Sequence, residues 1–313
     1  MKKDLVSIII PTYNRAHLIG ETIASIQRQT YTNWECIIVD DSSTDNTEKI
    51  LLNYIEKDKR IAFYHKPDNL LKGPSASRNF GFIKSNGTYI NWLDSDDVMH
   101  PEKLETDLKN IQSGDFDFTI SQSAFFKDDG KPSKKYWNKN LWSDDPINDF
   151  ILKKIGWGIN NPLWKRDSLI NSDLKFDEDL ITADDYMYHI QVLLFKLKPN
   201  VNQEVLVFNR EHGNRLNDFG RKAPFKLKNN IYLMKNKESF TLNDDVKAFL
   251  NRQYIRQVSN LLKNKDIKLA RNYIKNKNLK FYDLKTNTEV RMLYFKGLIF
   301  KLTGIGYEFL KVK

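Results

Sequence analysis

Apolar residues fall in short, regularly spaced bursts over the first hundred positions. "LVSIIIPTYN" is a β-branched run halted by proline, the pattern of a strand buried on both faces. "RAHLIGETIASIQRQT" follows, with Leu18, Ile19, Ile23 and Ile26 at helical spacing. "WECIIVDD" predicts a second strand. "SSTDNTEKILLNYIEKD" predicts a second helix, with Ser and Thr on offer as N-caps. "IAFYHK" reads as a third strand, "GPSASRNFGFIKSNG" as loop and helix, and "TYINWLD" as a fourth strand. "HPEKLETDLKNIQ" is a helix with proline near its start. Alternating strands and helices specify an α/β domain, a mostly parallel sheet flanked by helices. Ligands of such sheets bind beyond the carboxyl ends of the strands, and Asp40, Asp41, Asp94, Asp96 and Asp97 all fall there.

The pattern then loosens. "FDFTISQSAFF" and "VLVFNREHGNR" read as strands, "DDGKPSKKYWNKN" as a loop and "DDPINDFILKKI" as a helix. From about Ala223 the chain is helical and lysine-rich, without internal repeats. The expected division is a catalytic domain over 1–220 (halves 1–104 and 105–220) and a helical basic region over 221–313.

Charge sharpens that division. The net charge of +10 is a balance of −5 up to residue 220 and +15 beyond it. Interleaved Lys and apolar residues in "VRMLYFKGLIFKLTGIGYEFLKVK" suit either an anionic membrane surface or a solvated helical subdomain. No nucleic-acid motif accompanies the basic charge, so no nucleic-acid partner is expected. No apolar run approaches the roughly 20 residues that span a bilayer. The start lacks a signal-peptide cleavage site, and the single Cys36 fits a reducing compartment as a buried thiol. A cytoplasmic location is expected, free or peripheral on the inner membrane face.

Among nucleotide-binding patterns, G-x-G-x-x-G and G-x-x-x-x-G-K-[ST] are both absent, as is the G-x-S-x-G elbow. "LDSDD" is what remains: hard oxygen donors suited to Mg²⁺ or Mn²⁺, or else a solvated turn.

Taken in series, "SIIIPTYNR", "IQRQTYTNWECIIVDDSSTDNT", "GPSASRNFGFIKSNGTYINWLDSDD" and "HPEKL" resemble the nucleotide-sugar-binding half of an inverting family 2 glycosyltransferase. The resemblance implies the GT-A (nucleotide-diphospho-sugar transferase) fold and transfer from a UDP-sugar to a glycan or lipid-linked acceptor in surface polysaccharide synthesis. By this resemblance Pro11 and Tyr13 contact the base, Asp41 accepts from its N3–H, and Asp94 contacts ribose. Asp96, and Asp97 if it does not merely brace the loop, hold Mn²⁺ or Mg²⁺. Arg78 binds the diphosphate, pairs with Asp94 or Asp96, or does both. In "TADDYMYHI", Asp185 matches the catalytic base, although Asp184 stands where the family usually has Glu, so both are candidates. His212 resembles a histidine that reaches the metal or diphosphate; its neighbours Arg210 and Arg215 bind phosphate or lie in solvent. Trp157 and Asn160 suit an acceptor wall. The competing readings are a non-catalytic nucleotide-sugar-binding or scaffold protein, and a nucleotidyltransferase. "PTYNRAH" lacks the glycine-rich basic loop that the latter needs.

Overall fold

The first ten elements run β1 (Lys2–Thr12), α1 (Ile19–Gln27), β2 (Trp34–Asp40), α2 (Thr47–Lys57), β3 (Ile61–His65), α3 (Pro74–Lys84), β4 (Gly87–Trp92), β5 (Val98–Met99), α4 (Lys103–Gln112) and β6 (Phe118–Phe126). They are followed by β7 (Pro132–Tyr136), α5 (Pro146–Ile151), β8 (Pro162–Lys165), α6 (Arg166–Asn171), α7 (Asp184–Leu194) and β9 (Pro199–Arg210). This computed structural model describes residues 2–127, 132–180, 184–211, 219–235, 241–275 and 284–312.

The strands form one sheet in the order β3-β2-β1-β4-β8-β6-β9-β5, with β7 on β6. β1 pairs in parallel with β2 and β4, and β2 in parallel with β3. Their apolar runs are buried on both faces: Val6, Ile8, Ile10, Cys36 and Ile38 pack with Ile19, Ile23, Ile26 and Leu51 of the covering helices. Burial pushes the Cys36 thiol well above its ordinary range, so it is inert.

The second half of the sheet is mixed. β8 runs antiparallel to β4 and β6, β5 antiparallel to β9, and β6 parallel to β9. Uniformly parallel order therefore belongs to the first four strands, where helical crossovers return the chain each time. Two differences from the sequence pattern follow from pairing. The lysine-rich stretch expected as loop contains β7, an edge strand antiparallel to β6, where polar side chains are tolerated. At α2, Asp45 rather than Ser42 or Thr44 receives the first-turn amide, that of Thr47, at 3.0 Å.

β5 matters for the site. The chain leaves β4 at Trp92 and, directly after the aspartates, pairs through β5 with β9, Val98 opposite Phe208. The segment Asp94–Asp97 is thus suspended between the two halves of the sheet.

The chain divides into the unit Met1–Gly213, just described, and the unit Asn214–Lys313. The latter holds α8 (Phe219–Lys235), α9 (Asp244–Lys263), α10 (Ile267–Ile274), α11 (Leu284–Thr303) and a 3₁₀ turn, Tyr307–Leu310. Its own core includes Tyr254, Val258, Leu262, Val290, Leu293 and Phe300. Among the described residues no helix is long and apolar enough to cross a membrane.

Candidate active site

The exits of β1, β2 and β4 lie side by side, and the loops leaving them are laced together. Asn14, at a positive φ of 52°, donates its amide to Ser43 Oγ at 2.8 Å and accepts from the Thr44 amide at 2.8 Å. The Asp41 amide donates to the Thr12 carbonyl at 2.9 Å. Asp40 turns back to accept from the Ser43 amide at 2.9 Å, holding the loop.

Between these loops and α3 lies a cleft of about 550 Å³, whose lining includes Pro11, Tyr13, Asp41, Arg78, Asp94 and Asp96. Six sequence-derived candidates thus converge on one cavity. Tyr13 is 53% exposed, leaving its ring available for stacking. Asp41 accepts from the Gly73 amide at 2.7 Å and pairs with Lys66 Nζ, which also donates to the Leu71 carbonyl at 2.7 Å. A carboxylate offers about four acceptor positions, so two donors leave room for a ligand N–H. Gly73 has φ of 123°, a conformation that favours glycine, and it opens α3.

Arg78 is buried, and two of its guanidinium nitrogens bind carboxylates. Nη1 donates to Asp184 Oδ2 at 2.6 Å and Nη2 to Asp94 Oδ1 at 2.7 Å. Burial opposes its charge, but Asp94 and Asp184 outweigh it and hold the pKa above the ordinary value. Of the alternatives for Arg78, the geometry contains the ion pair, with Asp184 as an added partner.

The aspartate segment is braced from below. Asn160 Oδ1 accepts from the Asp94 amide at 2.8 Å, and Asn160 Nδ2 donates to Asp97 Oδ2 at 2.5 Å. Asp97 Oδ1 accepts from the Arg210 amide at 2.7 Å, while Arg210 Nε donates to the Asp96 carbonyl at 3.1 Å. Arg210 Nη2 pairs with Glu21. Burial, with Asp94 and Asp96 nearby, pushes the Asp97 carboxyl well above its ordinary range. Asp97 is buried with a protein donor on each oxygen, so in this structure it braces the segment. Asn160 is likewise buried and occupied, so it is no acceptor wall. Arg210 is neither a phosphate ligand nor solvated surface.

Trp157 needs the same correction. It is 1% exposed, packed at tilted angles against Trp142, Phe150 and His189, and donates from Nε1 to His189 Nδ1 at 3.1 Å. Burial, assisted by the Arg78 charge, lowers His189 to about 3, leaving a neutral ring suited to that aromatic packing. A sugar cannot reach Trp157. His212 and Arg215 lie outside the described residues.

Asp184 and Asp185 open α7. Asp184 faces Arg78 and accepts from Ser75 Oγ at 3.3 Å. Asp185 Oδ1 accepts from the Tyr186 amide at 2.7 Å, and among the described residues no other donor reaches its carboxylate. Burial first, and the Asp184 charge second, raise Asp185 from 3.8 to about 6.

Does the aspartate segment suit a divalent cation? Among the described residues no group of three or more His, Cys, Asp or Glu side chains is arranged to hold one, so an all-protein cage is excluded there. Asp96 lines the cleft, with Arg15 Nε 3.6 Å from its Oδ2. Burial, and Asp96 beside it, raise Asp94 against the opposing pull of Arg78, so the two neighbouring carboxylates disfavour each other's charge. One or two carboxylates sharing Mg²⁺ or Mn²⁺ with substrate phosphate and water fit that arrangement.

The pattern reading missed Lys66. Asp40 lies opposite His65 in the parallel β2–β3 register, which brings Asp41 beside Lys66. The signal was there: a lysine directly after a strand whose neighbour ends in two aspartates.

A model of glycosyl transferase family 2 matches residues 7–167, just over half the chain. An uncharacterized glycosyltransferase of Haemophilus influenzae is 40% identical over 134 residues, 43% of this chain and 53% of that protein. The Escherichia coli UDP-Glc:alpha-D-GlcNAc-diphosphoundecaprenol beta-1,3-glucosyltransferase WfgD is 31% identical over 199 residues, 62% of this chain and 71% of that protein. The chain spans only 18% to 53% of the length of relatives that are 40% identical to it. Staphylococcus aureus TarS 1-349 in complex with UDP-GlcNAc shares the fold at TM-score 0.65 and 16% identity, covering 97% of this chain and 90% of that one. The mannosyltransferase PcManGT of Pyrobaculum calidifontis, with GDP-Man and Mn²⁺, matches at TM-score 0.53 and 15% identity over 96% and 87% of the two chains. With a GT-A fold and a family match running from β1 through β8, the chain belongs to glycosyl transferase family 2.

Proposed function

We propose that the chain moves a sugar, with inversion, from a UDP-sugar to a lipid-linked or glycan acceptor in polysaccharide synthesis. The observation that carries this reading is the convergence of Tyr13, Asp41, Asp94 and Asp96 on one cleft, whose Arg78 joins Asp94 to Asp184, the sequence neighbour of Asp185. TarS with UDP-GlcNAc and WfgD, with its UDP-Glc donor and diphosphoundecaprenol acceptor, support the substrate classes.

Tyr13 stacks on the base and Asp41 accepts from its N3–H, which favours uracil over cytosine because a carboxylate only accepts. Asp94 holds the ribose. Asp96 is the side chain that would hold Mn²⁺ or Mg²⁺, which when bound supplies the positive charge that a leaving diphosphate requires. Arg78 fixes Asp94 and Asp184 and thereby the relative position of donor and base. The acceptor hydroxyl attacks the anomeric carbon opposite the diphosphate. As the new C–O bond forms and the old one breaks, Asp185 takes the hydroxyl proton and UDP leaves.

Asp185→Asn tests this directly. The variant keeps wild-type affinity for UDP and loses transfer by about 10²-fold or more. Transfer at the wild-type rate would refute Asp185 as base; UDP binding by a wild type that transfers no sugar would favour a binding protein.

A further inference from the structure

Helix α11 is apolar on two faces. Val290, Leu293, Gly297 and Phe300 turn into the core of their unit, and a Cβ at Gly297 would come within 2.7 Å of the Leu262 side chain. That face is firmly seated. At about 100° per residue, Met292, Phe295, Ile299 and Leu302 line up within a second sector of about 80°. They are 53%, 66%, 58% and 84% exposed, and exposed Ile305, Tyr307 and Phe309 follow.

Such a helix is ordinarily covered on both faces. The charges say by what. Along the edges of the stripe stand exposed Arg291 and Lys296; over Leu284–Thr303 the helix carries Lys285, Arg291, Lys296 and Lys301 against Glu289 alone. The unit Asn214–Lys313 contains 23 Lys and Arg against 8 Asp and Glu. Stacking a second copy on this face would bring two strongly cationic units together. An anionic surface accepting apolar side chains complements both features, and the helix does not meet the criterion for crossing a bilayer.

We propose that the outer face of α11 docks on an anionic lipid leaflet. Phe295, Ile299 and Leu302 enter the boundary between headgroups and acyl chains, and Arg291 and Lys296 meet headgroup phosphates. Vesicle binding is read without sugar transfer, so the proposal stands or falls apart from the donor assignment.

The test is cosedimentation of the full chain with vesicles of phosphatidylcholine, alone or mixed with phosphatidylglycerol. Binding to the mixed vesicles is expected to be about tenfold tighter and to weaken with salt. The triple variant Phe295→Ser, Ile299→Ser, Leu302→Ser lowers partitioning by about tenfold or more, with unchanged circular dichroism and UDP affinity. Arg291→Glu with Lys296→Glu removes the preference for anionic lipid while leaving the apolar stripe intact. Equal binding to both vesicle types, or undiminished binding by the triple variant, would overturn the proposal. So would light scattering that shows a dimer dissociated by the triple variant.

Discussion

Arg78 ties Asp184 and Asp94 together through two ion pairs, and this separates two aspartates, Asp184 and Asp185, that are neighbours in sequence. Asp184 is committed to the guanidinium, whereas Asp185 is held at about 6 by burial and by the Asp184 charge. A general base must be ionised, so the pH–rate profile of transfer rises through about 6 and levels above it. Stability runs the opposite way. The folded-state pKa lies above the ordinary 3.8, so the folded chain binds more protons between about pH 4 and 6 and loses stability as pH rises through that window. Asp185→Asn is therefore more heat-resistant than wild type at pH 7.5, and the gain vanishes below about pH 4; thermal melts at the two pH values check this. Asn160 is a second single-residue test. Asn160→Ala leaves Asp97 without its Oδ2 donor and costs about 1–3 kcal/mol in urea unfolding. It also weakens metal-dependent UDP binding, because the Asp94 amide loses its acceptor.

At the scale of elements, α4 carries a fully buried pair one turn apart. Lys103 Nζ donates to Asp107 at 2.5 Å and to the Asn161 carbonyl at 2.8 Å, tying the helix to the strap that presents Asn160. Lys103→Met strands a buried carboxylate and costs about 3–5 kcal/mol, whereas Lys103→Met with Asp107→Leu is near neutral in stability. Urea titrations of the single and double variants distinguish a structural pair from a catalytic one. The legibility of the elements followed their hydrophobic period. β1 to β4 and their helices stood out because continuous apolar runs alternated with helical spacing. β7 did not, since an edge strand has no apolar requirement. The stretch around α11 was legible as a candidate for a membrane surface, but its outward-facing residues were not, because apolar residues on both faces cancel the contrast that marks an amphipathic helix. Asp41, Asp94 and Asp96 were legible as strand-end carboxylates. Trp157 and Asn160 misled because a tryptophan and an amide look alike in sequence whether they face a sugar or fill a core; only their partners His189 and Asp97 decide.

For the whole molecule, charge is partitioned with the fold. The unit holding the cleft is mildly acidic and the helical unit strongly basic. On this account vesicle affinity follows variants of α11, and nucleotide affinity follows variants of the cleft. The triple variant of α11 should weaken vesicle binding and spare UDP binding, and Asp96→Ala should remove the Mn²⁺ enhancement of UDP binding and spare vesicle binding. The measurement that bears most directly on the central claim is calorimetric binding of UDP, with and without Mn²⁺, to wild type and Asp96→Ala. The account predicts binding that Mn²⁺ strengthens about tenfold or more in wild type and does not strengthen in the variant. Mn²⁺-dependent binding that survives Asp96→Ala, or absence of UDP binding by wild type under both conditions, would contradict it.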